Sequence, residues 1–343
     1  MKVTDFRMGM SLAASYTWAA AIIVGFSLLK EQGIIPFALW FIANSTAVIL
    51  FGLVVIKWPG LYAATRYVPF RIVNSIILFF ILWFNMTGIA WINELTGWLS
   101  PIGGQALAVA TGVVLWAIIA KGGIKWSIIT DQGQWYLLAG GCLLALGITL
   151  FSNGFHIQEG LKLGSYVTAK DWLLGLWSVP LLLTALFLDG MFWQRARYIR
   201  TIKPYAIGWG LFSFYLLLVA GLGFFEIPSS AMVLVFVVVY FSSQSTMDSV
   251  LSGMHHQMNK KPGIIAGGIA VLAWPLIAGW GILDLWMLFF GWFPLLFIAL
   301  VVTYILMRKG VITPPSLKAL QATDELPDLE GRPANGLDDL DIL

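Results

Sequence analysis

Between residues 241 and 253 the chain reads FSSQSTMDSVLSG. On a helix Ser242, Ser245, Thr246, Ser249 and Gly253 fall on one stripe, with Ser243, Asp248 and Ser252 beside it. Oxygen atoms at that spacing, joined by carbonyls of a partly unwound neighbouring helix, can hold a hard alkali cation stripped of water, and Asp248 supplies nearby charge. Serine and threonine also bond back to their own helix and let neighbours approach, which is their commoner role. Asp248 shifts the balance toward function, because a carboxylate inside a membrane is expensive to keep there.

A second polar run, KGGIKWSIITDQGQW, places Gly122 and Gly123 in a tight turn, with Thr130, Asp131 and Gln134 as the opening, capping residues of the next helix. A third group is Ser15, Tyr16, Thr17 and Trp18 in the first apolar run, where lipid-facing residues would be apolar; aromatic side chains there either pack or stack on a solute. Asn74, Asn85, Thr87 and Trp177 are further polar or aromatic positions within apolar runs. The three histidines, His156, His255 and His256, fall between apolar runs with no nucleophile and base grouped around them, so the pattern is not that of an enzyme. Cys142 is the only cysteine, which excludes an intramolecular disulfide and a cysteine metal site.

The elements that carry these residues are membrane spans. Of the 343 residues 59% are hydrophobic and 11% charged, and the mean hydropathy is +0.86, far above soluble domains. A hydrocarbon core of about 30 Å takes about 20 apolar residues per helix. Ten such runs are expected, near 8–29, 35–56, 68–91, 99–120, 133–151, 171–192, 204–224, 228–252, 262–283 and 286–307. The first is too long for a cleaved signal segment and is expected to remain as a span.

With the N-terminus inside, only Lys30, Lys162 and Lys170 of the 20 lysines and arginines fall outside, the asymmetry that positive-inside topology requires. Net charge is +3 with no basic block interleaved with aromatics, so nucleic acid is not an expected partner; a lipid bilayer is. Residues 1–309 form the expected transporter core. From 310 on, Asp324, Glu325, Asp328, Glu330, Asp338, Asp339 and Asp341 face only Lys318 and Arg332, an acidic tail expected to be disordered and cytoplasmic. Ten spans split into two halves of five, and because five is odd the second half enters from the opposite side, which is an inverted repeat. Gly175 and Pro180 mark the expected mid-helix break of span six; that of span one follows from symmetry.

Taken together, the glycine pair leading into Thr130, Asp131 and Gln134, the Ser-Thr-x-x-Ser run of Ser245, Thr246 and Ser249, and the Gln194-Arg195 pair after span six resemble the sodium/solute symporter family, which contains proline and sugar symporters. The resemblance covers roughly residues 8–307. It implies an all-α LeuT-type fold of two inverted five-helix repeats and sodium-coupled uptake of a small organic solute such as an amino acid, sugar or carboxylate. A non-transporting membrane solute sensor is the alternative. By the same resemblance, sodium sits between spans one and eight, held by Ser245 and Thr246 and by carbonyls near Ala14 and Thr17. Asp131, with Asp248, lies on its release path, and Gln194 and Arg195 take part in gating. Ser15, Tyr16, Trp18, Asn74, Asn85 and Trp177 are the substrate candidates. Two departures stand out: family members usually carry additional helices at both ends, and Tyr16 falls where proline-type members have an aspartate.

The charge asymmetry makes one direct prediction. Cysteines introduced into segments 57–67 and 195–203 are expected to be shielded from impermeant reagents added outside cells, and labelling of either segment from that side refutes the topology.

Overall fold

Backbone groups in hydrocarbon must bond to one another, and the described residues do so as helices throughout. A computed structural model describes residues 4–18, 25, 28–29, 33–97, 99–153, 169–279 and 291–315. Its helices are α1 (Asp5–Tyr16), α2 (Ile34–Lys57), the short α3 (Leu61–Thr65), α4 (Val68–Thr96), α5 (Pro101–Asn153), α6 (Ala169–Ala185), α7 (Gly190–Ala196), α8 (Ile202–Phe224), α9 (Ser229–Met258), α10 (Lys260–Ala273) and α11 (Phe293–Arg308). By length and apolarity five of them can cross a membrane, or six if α6 and α7 are counted as one bent span.

α5 is 53 residues long, which as a straight rod would reach roughly 80 Å and overshoot any bilayer. It does not run straight. Gly123 sits at φ 53, ψ −146 inside it, a conformation open to glycine and not to residues with a Cβ. Neighbours on α9 show that the chain folds back there. Thr111 bonds Tyr240 at 2.9 Å, Asp131 accepts from Ser245 at 3.0 Å, and Gly141 packs on Val238. Residues 111 and 141, about 45 Å apart on a straight helix, therefore lie at one level of α9. α5 is a hairpin of two membrane-length arms, meeting at the expected glycine pair.

The second arm begins directly after Gly123, so Asp131 lies two turns inside the helix and is fully buried. This corrects the expectation of a helix-opening cap: helical geometry resumes directly after Gly123, so the helix starts about two turns before the polar residues that were read as its opening. The break in span six is also displaced. The helix runs through Pro180, where Thr184 Oγ1 donates to the Pro180 carbonyl at 2.7 Å. It breaks instead at Asp189, an extended residue (φ −96, ψ 110) whose carboxylate caps Met191 N–H at 3.0 Å; α7 departs at 56°. His255 and His256 are corrected from loop to helix as well: α9 continues to Met258 because Arg66 and Arg71 accept the task of bonding its terminal carbonyls. His156 lies outside the described residues, as does the tail from 316 on.

α1 ends where the sequence supplies neither glycine nor proline. Thr17 leaves helical geometry at φ −79, ψ 62, and Trp18 N–H reaches back to Tyr16 O at 3.0 Å, an inverse γ-turn. α1 runs parallel to α8, with Gly9 on Ile207 and Tyr16 on Phe212. α9 lies at the centre, touching α1, α4, α5, α7 and α10. The packing is inverted relative to soluble proteins: Leu143, Leu144, Ile269 and Leu272 face outward while Ser242, Ser243, Ser245, Ser249 and Ser252 of α9 are fully buried.

Close approach sets the tolerance of this packing. A Cβ on Gly52 of α2 would lie 2.3 Å from the Tyr205 ring and 2.6 Å from its Cβ, whereas one on Gly140 meets nothing. Gly52→Ala is expected to lower thermal stability in detergent by an amount corresponding to about 1–3 kcal/mol, with Gly140→Ala neutral or slightly stabilising.

Candidate functional site

Four helices converge on one guanidinium. Arg195, in the last turn of α7, has no exposed surface. Its Nε donates to Ser11 Oγ of α1 at 2.9 Å and its Nη1 to Met191 O at 3.2 Å. Nη2 lies within 2.9 Å of Asp131 Oδ2, 3.0 Å of Ser127 Oγ and 2.8 Å of Ser249 Oγ. Two hydrogens on Nη2 cannot serve three acceptors at once. The Ser127 and Ser249 hydroxyls must therefore share it with Asp131, each turning its own hydrogen elsewhere.

Asp131 is the counterion. Its Oδ2 accepts from Ser11 at 2.5 Å, with Ser15 Oγ 3.4 Å away; its Oδ1 accepts from Ser245 at 3.0 Å, with Ser249 Oγ 3.5 Å away. The pair Arg195–Asp131, 2.9 Å apart and wholly buried, thus joins α1, α5, α7 and α9. Asp248 lies one turn away on α9. It accepts from Ser127 and Ser249, both at 3.1 Å, and from the Thr130 hydroxyl. Ionised, the two carboxylates outnumber the one guanidinium, so hydroxyl donors make up the remaining stabilisation of the second.

Beside this network α9 meets the end of α1. Ser242 donates to the Thr17 carbonyl, and Thr246 Oγ1 lies 3.4 Å from Ser15 O and 3.3 Å from Ser242 O. The Ala14 carbonyl accepts from Thr17 N at 3.2 Å and Thr17 Oγ1 at 2.6 Å. Ser15 bonds Ser249 at 2.9 Å. Tyr16 donates to Asn44 Oδ1 of α2 at 3.2 Å and packs edge-on against Trp18 and Phe192. Gln194 accepts from Ser252 at 3.1 Å.

The chain therefore brings together Ala14, Ser15, Tyr16, Thr17, Trp18, Asp131, Gln194, Arg195, Ser245, Thr246 and Asp248. Three of the predicted residues lie elsewhere. Trp177 is 37% exposed and donates to Gly291 O at 3.1 Å. Asn85 donates back to Ile81 O at 2.8 Å within α4. Asn74 is buried with both amide atoms unpaired among the described residues. Three participants were not singled out from sequence. Ser11 and Ser127 stand one turn before Ser15 and Asp131, a spacing that reads as one helical face. Asp189 carried a signal of its own, a carboxylate inside an apolar run.

The chain is similar to a Na+-coupled sialic acid symporter, solved substrate-bound and outward-open and described as having a novel Na+ site, with TM-score 0.56 and 14% identity over 89% of this chain and 78% of that one. The likeness is one of fold. The chain also resembles an Eremococcus coleocola manganese transporter in complex with an aromatic bis-isothiourea compound, with TM-score 0.46 and 13% identity over 93% of this chain and 74% of that one. No family model matches the chain, and no curated protein does. The all-helical fold and its apolar helices make this a multi-pass membrane protein.

Removing one member of a buried ion pair leaves an uncompensated charge. Arg195→Met is therefore expected to destabilise the folded protein by about 3–5 kcal/mol, and Asp131→Leu with Arg195→Met by clearly less than the two single changes added, as read by thermal unfolding in detergent.

Proposed function

We propose that this chain is a secondary active transporter of the cell membrane that couples sodium entry to uptake of a small organic solute by alternating access. In this reading ten spans form two inverted five-helix repeats with both termini cytoplasmic. The observation that carries it is the apposition of the α9 hydroxyl stripe to the unwound end of α1, with Asp131 bonded directly to that stripe.

The donor set suits a hard monovalent cation. Ala14 and Thr17 offer carbonyl oxygens, and Ser245 and Thr246 offer hydroxyls, with no nitrogen or sulfur among them. Ser245 spends its only hydrogen on Asp131 Oδ1, so both of its lone pairs remain available to a cation. Asp131 therefore orients a sodium ligand while adding negative charge behind it. Release toward the basic end of the bundle passes Asp131 and Asp248. Arg195, held by α7, bridges α1, α5 and α9 at that end, and parting these helices requires its bonds to break. That is the gating role assigned to Gln194 and Arg195. Tyr16 and Trp18, at the end of α1, with Ser15 behind them, are the proposed solute-facing residues.

One sodium moving inward down a 100 mV potential releases about 2.3 kcal/mol before its gradient is counted. In vesicles reconstituted with the full chain and screened over neutral amino acids, sugars and carboxylates, uptake is expected to need an inward sodium gradient. For a neutral solute it should rise when the interior is made negative. Ser245→Ala with Thr246→Ala should raise the sodium concentration needed for half-maximal uptake by about tenfold or more, as expected when two ligand hydroxyls worth roughly 1 kcal/mol each are lost. Uptake indifferent to sodium in wild type, or an unchanged sodium requirement in the double variant, contradicts the reading.

A further inference from the structure

A groove of about 380 Å³ lies on the outer wall of the bundle, where the first three turns of α4 meet the end of α9. Its wall on α4 is Val68, Ile72, Ile76 and Phe79; its floor is Gln257 and Met258, and Arg71 stands at its polar end. Val68, Ile72 and Ile76 are 62%, 55% and 49% exposed. They recur every four residues, so they form one continuous apolar stripe turned away from the bundle. None of these residues belongs to the Arg195 network or the proposed sodium site.

We propose that this groove is a binding site for an anionic phospholipid, with the phosphate at Arg71 and one acyl chain laid along α4. Length is the first argument. From Val68 to Phe79 the helix rises roughly 16 Å, which is about half of a 30 Å hydrocarbon core and hence one leaflet. The stripe starts at the first turn of a membrane-spanning helix, so its polar end falls at headgroup level and its apolar end near the bilayer midplane.

Charge is the second argument. Arg71 donates through Nε and Nη2 to the Gln257 carbonyl at 3.0 and 2.7 Å, which pins the guanidinium at the groove's end and engages two of its five N–H groups. The others remain for an oxygen acceptor from outside. Lys260 and Lys261 follow the floor residue Met258 after a single intervening residue, and both are exposed. An arginine at one end of an apolar trough, with two exposed lysines two and three residues past its floor, matches a phosphate with a hydrocarbon tail. A soluble anion would leave the trough uncovered, and a zwitterionic lipid would bring its own cation against these three.

The test is lipid retention by the purified full-length protein, measured by native mass spectrometry after titration with phosphatidylglycerol or phosphatidylcholine. Wild type is expected to retain phosphatidylglycerol in preference to phosphatidylcholine. Arg71→Gln, and separately Lys260→Gln with Lys261→Gln, should weaken phosphatidylglycerol binding about fivefold for each basic side chain removed and leave phosphatidylcholine unaffected. Ile72→Trp with Ile76→Trp, at exposed positions that do not disturb the bundle, should weaken both lipids by obstructing the chain. Because Arg71 also holds the end of α9, the lysine and isoleucine variants decide the matter if Arg71→Gln fails to fold. Equal retention of the two lipids by wild type, wild-type retention in the lysine and isoleucine variants, or displacement of the lipid by glycerol phosphate at matched concentration overturns the proposal.

Discussion

A guanidinium with no access to water has to find every acceptor it needs among the chains that surround it, and Arg195 finds them on four helices. The alternative, a bare cation in a low-dielectric interior, would exceed the stability of the whole fold. This requirement fixes much else. α7 must end beside α5, the α1 face bearing Ser11 must turn inward, and α9 must present Ser249 rather than an apolar residue. The two carboxylates then need donors of their own, and Ser11, Ser127, Thr130 and Ser245 are those donors. The polar centre of this bundle is thus one connected network that ties Ser11, Ser127, Thr130, Ser245 and Ser249 to Arg195 and the two carboxylates.

The outer architecture was largely legible because it follows from run length. Apolar stretches of span length predicted α2, α4, α8 and α9 to within a few residues at most ends, and the glycine pair predicted the fold-back inside α5. Legibility failed where contacts distant in sequence decide. Pro180 looked like the natural break, yet a proline inside a helix removes only one hydrogen bond, and in a packed bundle neighbouring groups make that tolerable. Asp189 makes the better break because its side chain supplies the cap that a new helix needs. His255 and His256 read as loop residues because helix α9 outlasts its apolar pattern. Its extra turn exists only because Arg66 and Arg71, almost 190 positions away, bond its last carbonyls.

The candidate site was legible in its residue types and less so in its wiring. The α9 stripe and Asp131 could be singled out, since hydroxyl periodicity and intramembrane charge are local signals. That Arg195 would be the partner of Asp131 was not, because a basic residue just past a span is ordinarily a topology marker at the interface. Nothing in the local sequence says that α7 is a buried half-helix. That fact is set by the bend at Asp189, which redirects the chain across the bundle instead of out of it.

The two discontinuities take opposite forms, and the difference bears on how ions are handled. At Asp189 the break is closed by a side chain that satisfies a helix N-terminus from within. At Thr17 the interrupted end is a C-terminus, where the Ala14 carbonyl takes the N–H and the hydroxyl of Thr17, and the Thr17 carbonyl turns to Ser242 of α9. Carbonyls left without helical partners are the one backbone feature that can accept either a hydroxyl or a cation. In the proposed cycle the hydroxyls of Ser242 and Thr246 occupy the sites that a cation would compete for, at little cost because each can swing back to its own helix. Ser245 differs from them. Its hydrogen is committed to Asp131, and Asp131 is committed to Arg195, so whatever displaces the guanidinium also reorients a proposed sodium ligand. Ion occupancy and the Arg195 bridge would then be two ends of one hydrogen-bonded chain, Ser245–Asp131–Arg195, and neither can change without the other registering it.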